Sequence, residues 1–152
     1  MAMKLGFAGK LYVGNPGADG VEPAAYSELT NVKDVSINLS RDRADVTTRA
    51  AQGYKVEVAT LASLSVEFES VWDSEDAALG IVKSAYFNNS VIWVKALDSE
   101  NGSGVKFPAS VADFSLNQPL GEAQTVRVTL VPTFHTAGGD YAAPSWVDAT
   151  RP

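Results

Sequence analysis

The amino-acid sequence predicts a mainly β protein, an antiparallel β-sandwich or half-barrel with one flanking α-helix and a long β-hairpin arm. Three observations predict this class. Seven or so short segments alternate apolar and polar residues, which is typical of half-buried strands. Only one segment repeats its apolar residues at helical spacing. A charged run from Arg41 to Gly53, too long for a tight hairpin turn, separates two of the strands.

Length and composition predict a single domain that folds without covalent staples. The chain has 152 residues, 45% of them hydrophobic, and no cysteine. No apolar run approaches the roughly 20 residues that span a bilayer, and the N-terminus lacks the apolar segment of a signal peptide. We therefore expect a soluble protein made in the cytoplasm. The net charge of −6 argues against tight binding to nucleic acid.

The first strands set the pattern for the chain. A glycine-flanked strand from Gly6 to Gly14 opens it, and a loop extends to Asn31. Two amphipathic strands follow, and we expect the apolar face of each to lie on a core. Those apolar faces consist of Val35, Ile37 and Leu39 on one strand and Leu64, Val66 and Phe68 on the other.

The segment between these two strands is predicted to be an interaction arm, residues 40–54. It has no core of its own, yet Val46, Tyr54, Val56 and Val58 give it apolar anchors. A long polar segment of this kind is either disordered or packed on something else, and the anchors favour packing. The residues expected to make contacts are Arg41, Asp42, Arg43, Asp45, Val46, Thr47, Thr48, Arg49 and Tyr54.

The one predicted helix covers residues 74–87. Asp73 or Ser74 can cap it, and acidic residues suit its positive N-terminal end. Further strands are expected at 91–97, 105–107, 110–117 and 125–131, with Phe114 and Leu116 pointing inward.

The strands and the helix define a sandwich domain over residues 1–134, followed by a C-terminal extension over residues 135–152. Trp146 and Val147 are large apolar residues in an otherwise polar extension. We expect them to dock, either on a neighbouring subunit or back on the sandwich.

The sequence contains no candidate catalytic site, so we predict that the protein is not an enzyme and needs no cofactor. The single histidine, His135, lies beside threonines without a nucleophile, and its simplest interpretation is a partly exposed polar side chain. Asp73, Glu75 and Asp76 resemble metal ligands by type, but the same residues are what a helix start prefers.

The order of these elements resembles the major tail tube proteins of long-tailed bacteriophages. The resemblance covers roughly residues 6–134 and depends on the ordered pattern, since none of the segments is a catalytic signature. The matching segments are Ala8–Val13, Val32–Leu39 leading into Asp45–Arg49, Leu64–Glu69, the helix, Asp113–Leu120 and Thr125–Leu130.

This resemblance implies a virion protein assembled in the host cytoplasm. Six subunits would form a ring, rings would stack into a tube that conducts DNA, and the arm would contact the neighbouring ring. The implied partners are further copies of the chain and the tail terminator, distal tail and tape measure proteins. Contractile-tail tubes and type VI secretion tubes share this architecture, so the sequence leaves open whether a sheath surrounds the tube.

A tube that passes DNA should present groups that bind phosphate weakly or repel it. Among the polar strand faces, we expect Asp34, Asn38, Asp113 and Asn117 to line the lumen, and the alternative is that they form the solvated outer face. The alternative function is a monomeric β-sandwich binding module for carbohydrate or a surface protein. That function needs an aromatic site, and Trp72, Trp93 and Trp146 are widely separated in the sequence.

Overall fold

The computed structural model describes residues 5–6, 9–100 and 102–148. Three parts of the predictions lie outside the described residues. They are Phe7 and Ala8 of the opening strand, the start of the predicted sandwich domain (1–4) and the end of the C-terminal extension (149–152). The strands are β1 (Lys10–Gly14), β2 (Ser27–Glu28), β3 (Val32–Asp45), β4 (Glu57–Val71), β5 (Ile92–Leu97), β6 (Gly104–Asn117), β7 (Thr125–Pro132), β8 (Thr136–Ala137), β9 (Asp140–Tyr141) and β10 (Ser145–Val147), and the helix is α1 (Ala77–Asn88).

Eight strands form one antiparallel sheet in the order β2-β1-β5-β6-β7-β4-β3, with β10 paired to β6 beside β7. Strands β8 and β9 form a separate two-stranded hairpin. The predicted class, a mainly β antiparallel fold with one helix and a long hairpin arm, is confirmed.

The core lies on one face of the sheet, and α1 covers part of it. Register aligns apolar side chains in rows across the strands, and one such row runs Phe114, Val128, Phe68 and Val35. Helix α1 contributes buried Leu79 and Val82 and packs mainly against β6 and β1. Alternation along β4 and β7 therefore places one face of these strands on the core and the other toward solvent.

Helix α1 begins at Ala77, three residues later than predicted. The carboxylate of Asp76 caps it by accepting the Ala78 N–H at 3.0 Å, whereas Asp73 accepts the Glu75 N–H in the preceding turn. The expectation that Asp73 or Ser74 caps the helix is therefore wrong. The helix ends where Asn89 adopts a left-handed conformation with φ of 50°.

Two predicted strands, 105–107 and 110–117, are one strand, β6, with an irregularity in register between Val111 and Asp113. Strands β3 and β4 are also longer than predicted, because their pairing continues to Asp45 opposite Glu57. Residues 40–45 of the arm thus belong to β3, with an irregularity in register between Arg41 and Arg43, and residues 46–56 form the loop between the two strands. Its tip carries a short 3-10 turn over Arg49–Ala51.

Candidate assembly surfaces

Strand β3 is an open edge of the sheet. In the described part of the chain it pairs with β4 alone. Val35, Ile37 and Leu39 lie opposite Phe68, Val66 and Leu64, as alternation predicts, but their exposed fractions are 42%, 40% and 62%. The expectation that these three side chains lie on the core is therefore only half right: they share the core face, but α1 packs over β6, β1, β2 and β5 instead.

A groove of about 980 Å³ separates the β3 edge from the opposite side of the sheet. One wall is β3 from Val32 to Ile37, and the other includes Leu5, Lys10 and Leu97. The sheet therefore curves toward closure without reaching it, as a half-barrel does. An unpaired edge strand of this length is a template for pairing with another chain.

The arm projects beyond the body of the sheet, and every residue that the sequence assigns to its contacts is exposed. Local bonds hold its shape. Glu57 pairs with Arg43 at 3.2 Å and with Lys55 at 3.0 Å, and Arg41 donates to the Thr60 carbonyl.

The arm tip is fixed by Thr47. Its hydroxyl donates to the Val56 carbonyl at 3.3 Å and accepts the Val56 N–H at 2.9 Å. Its own N–H donates to the Asp45 carboxylate at 2.9 Å. The bonds from Thr47 lower the pKa of Asp45 below its ordinary value. The arm is therefore a shaped projection whose side chains point into solvent.

The four residues expected to line a lumen share one face of the sheet. Cross-strand rows place Asp34 beside Glu69 and Arg127, and Asp113 beside Thr129, Glu67 and Ser36. Asn38 donates to Ser65 at 3.5 Å, and Arg127 lies 3.8 Å from Glu69. The residues that the sequence predicts, Asp34, Asn38, Asp113 and Asn117, are all exposed on this polar face, opposite the core.

The C-terminal extension lies against the same end of the sheet as the arm. β10 pairs with the start of β6, where Trp146 lies opposite Val105 and Val147 opposite Gly104. Trp146 remains 61% exposed, whereas Val147 is half-buried. Exposed Phe134 and Tyr141 stack at 5.3 Å.

His135 has a structural contact that its sequence context does not indicate. Its Nε2 lies 2.7 Å from the Gly20 carbonyl oxygen, to which Trp93 also donates at 3.3 Å. A side chain on Gly20 would collide with Thr136 and His135, and its φ of 76° also favours glycine. His135 therefore ties the extension to the loop before β2.

A charged network that the sequence does not reveal joins this loop to the sheet. Glu22 accepts bonds from Lys106 at 2.8 Å and from Tyr26 at 2.9 Å. Lys95 lies over the rings of Tyr12 and Tyr26, 5.2 and 4.6 Å from their centroids. Burial and the neighbouring Glu22 raise the pKa of Tyr26. Residues distant in sequence meet here only because the loop crosses the sheet.

The acidic residues before α1, which resemble metal ligands by type, have structural roles. Asp73 and Asp76 are engaged in a turn and a helix cap. Across residues 5–6, 9–100 and 102–148, no three acidic or histidine side chains are grouped as metal ligands would be. In the same part of the chain, no helix has the length and apolar character that a membrane span requires.

Solved structures with a similar fold include chains of tail assemblies. The chain resembles a subunit in the tail of an empty gene transfer agent particle, whose structure was refined with C6 helical symmetry. The TM-score is 0.74 at 12% identity, and the match covers 95% of this chain and 99% of that chain. For the SPP1 tail tube, the TM-score is 0.73 at 11% identity, with coverage of 96% and 80%. A chain in the anti-feeding prophage baseplate has a TM-score of 0.57 at 7% identity and 99% coverage of both chains.

No protein-family model and no curated protein matches the sequence. At identities this low the structural matches establish the fold, and the fold is the tail tube fold that the sequence resemblance implied.

Proposed function

We propose that this chain is the structural subunit of a tail tube in a virion. Six copies form a ring, rings stack into a hollow tube, and genomic DNA passes through the lumen during ejection into the host. Its further partners are tail terminator, distal tail and tape measure proteins, as the sequence resemblance implies.

The observation that carries this proposal is the edge strand β3. A monomer gains nothing from a 14-residue edge strand whose core-side residues Val35, Ile37 and Leu39 face water. Soluble monomers normally protect such edges with charge, proline or a covering element. β3 carries charged residues at both ends, but residues 35–40 between them have none of these protections. Covering this strand with another copy buries the apolar row and satisfies its free backbone groups, so self-assembly accounts for both features.

The polar face supports a role as a DNA conduit. Four carboxylates, those of Asp34, Glu67, Glu69 and Asp113, share this face with Arg127. Phosphate binding depends on Lys and Arg, so such a surface repels DNA and lets it slide without retention. With β3 continuing into the next subunit, this face forms the inner wall, and Asp34, Asn38, Asp113 and Asn117 line it.

The alternative, a monomeric binding module, has less support. A carbohydrate site needs aromatic side chains gathered in a concave surface. Trp93 is buried under Gly20 and His135, Trp72 packs on Phe114, and Trp146 lies on β10. The three tryptophans therefore do not form a common site.

Negative-stain electron microscopy of the purified protein tests the proposal. We expect rings or hollow tubes, with their proportion increasing with protein concentration. Isolated small globules at every salt and protein concentration would favour the binding module instead. A sedimentation series over the same concentrations checks that the particles are equilibrium assemblies and not aggregates formed on the grid.

A further inference from the structure

The two ends of the sheet are chemically unlike. The arm, the start of β6 and the end of β7 lie at one end, which we call the arm end. The turn between β6 and β7 (118–124) and the connection from β4 to α1 (72–76) lie at the other, the turn end. These two connections touch, because the Trp72 N–H donates to the Gln124 carbonyl at 2.9 Å.

The arm end and the turn end carry opposite charge. From Arg41 to Glu57, which pairs with Arg43 and Lys55, there are four basic residues and three acidic ones, which gives the arm a net charge of 4 − 3 = +1. The turn-end connections have no basic residue and four acidic ones, a charge of −4, and these are Asp73, Glu75, Asp76 and Glu122. Lys33 and Glu69 line the adjacent groove and offset each other.

Both ends also expose apolar side chains. Leu120 is 103% exposed at the tip of its turn, beside Gly121 with a φ of 83°. On the arm, Val46, Tyr54 and Val56 are exposed. The arm therefore combines apolar area with a net positive charge, and the turn end combines it with a net negative charge, as complementary interfaces do.

These surfaces cannot meet within one copy. β4 alone runs 15 residues between the two ends, roughly 50 Å of extended chain. Between two copies related by translation along the strands, however, the arm end of one faces the turn end of the next. Such a head-to-tail contact is heterologous and repeats without limit.

We infer that the turn end, formed by residues 72–76 and 118–124, is the receptor for the arm of a second copy, with Arg41 and Arg49 facing Asp73 and Glu75 and the arm's apolar side chains covering Leu120. This inference deepens the proposed function, on which it rests, by naming the surface of the adjacent ring that receives the arm. The contact is stronger at low salt because its charged partners are exposed.

A charge exchange tests the pairing. The first variant carries Arg41→Glu with Arg49→Glu, the second carries Asp73→Lys with Glu75→Lys, and the third carries all four changes. We expect each of the first two to need about tenfold more protein to form tubes at low salt, and the third to polymerise close to wild type. All four side chains are exposed, but Asp73 also accepts the Glu75 N–H and Arg41 donates to the Thr60 carbonyl, so far-UV circular dichroism must first match wild type before tube formation is compared.

Glu67→Lys with Asp113→Lys is the matched control, since it makes the same charge change at exposed positions in the middle of the polar face, away from both the arm end and the turn end. It should polymerise like wild type. Leu120→Ser tests the apolar part of the contact and should shorten tubes without lowering monomer stability, because the side chain is fully exposed.

The outcomes separate the two claims. Wild-type protein that forms neither rings nor tubes overturns the proposed function. If wild-type protein forms tubes and the first and second variants also polymerise normally, the pairing alone is overturned. The same holds if the first two variants are impaired and the third is equally impaired. Recovery in the third variant, together with an unaffected control, establishes it.

Discussion

Leu39 and Leu64 lie directly opposite each other on β3 and β4 and share one face of the sheet, yet Leu64 is 8% exposed and Leu39 is 62% exposed. Two leucines on adjacent strands therefore lie in different environments, one in the core and one in solvent. The difference arises because β4 has a neighbour on each side, whereas β3 has one.

This pair supplies a matched test of the exposed apolar face. Leu64→Ala should lower the free energy of unfolding of the monomer by about 2–4 kcal/mol, because it leaves a cavity in the core. Leu39→Ala should lower it by less than about 1 kcal/mol but should weaken assembly. Urea denaturation and sedimentation measure the two effects. Equal stability losses in the two variants, with assembly intact in Leu39→Ala, would contradict the role of β3 as an interface.

Removal of the arm should separate folding from polymerisation. Deleting Asp42–Gln52 leaves Arg41 joined to β4 by an exposed loop, and the buried part of β4 keeps its pairing with β3 and β7. We therefore expect a folded subunit by circular dichroism that forms no tubes in the sedimentation assay. Full-length tubes from this deletion would show that the arm is not required for stacking.

Truncation after Ala137 should lower the melting temperature by several degrees. The truncation removes β10 and frees the start of β6, and a loss of about 1–2 kcal/mol corresponds to roughly 3–8 °C in a chain of this size. Differential scanning calorimetry measures the change, and sedimentation reports whether Trp146 and Val147 also serve a neighbouring subunit. An extension that only links elements would leave both measurements unchanged.

Positive charge on the polar face should slow the passage of DNA. Asp34→Lys with Asp113→Lys should still assemble, because both side chains are exposed on the face opposite the core. DNA release from particles should be slower at low salt and should recover at high salt, where phosphate contacts weaken. Asp140→Lys with Asp148→Lys controls for total charge. Release as fast as wild type at low salt would remove these two residues from the lumen.

The bond network of Glu22 should make stability depend on pH. Burial raises the pKa of Glu22, but the bonds from Lys106 and Tyr26 outweigh it and hold this pKa below the ordinary 4.5. A lowered pKa in the folded state means that the contribution of Glu22 is present above pH 4.5 and is lost as the pH falls through the folded value. Glu22→Gln should therefore be less stable than wild type at neutral pH, and the two should converge in acid.

Urea midpoints between about pH 3 and pH 7 measure this convergence, with Glu122→Gln at an exposed turn as the control. A constant gap between Glu22→Gln and wild type across this range would mean that the ionised carboxylate does not stabilise the fold.

The sequence predicts the features of the fold that depend on local periodicity, such as which side chains share a face of a strand. Alternation placed Val35, Ile37 and Leu39 on the same face as Phe68 and Val66, and this arrangement is observed. Their exposure was not predictable, because it depends on which strand ends at the edge of the sheet. The separation of strands 105–107 and 110–117 was wrong, because β6 runs through Pro108, whose carbonyl accepts the Thr133 N–H.

Some of the candidate surfaces could be predicted from the sequence, and others could not. The arm was visible in the sequence as a charged run without a core. The Glu22 network and the contact of His135 with Gly20 were not, because each joins residues more than 80 positions apart that only the folded sheet brings together. Leu120 gave no signal either, since a leucine in a turn is as readily buried as exposed.

The unlike ends of the sheet give any stack of these subunits a direction. In the proposed stack, every added layer would bury one arm end and one turn end and recreate both at the tips, so each addition would release the same free energy as the one before. Nothing in the subunit itself therefore counts layers or stops growth. A filament of defined length therefore needs a separate molecule that sets its length. It also needs two different terminating proteins, one that binds the basic tip and one that binds the acidic tip.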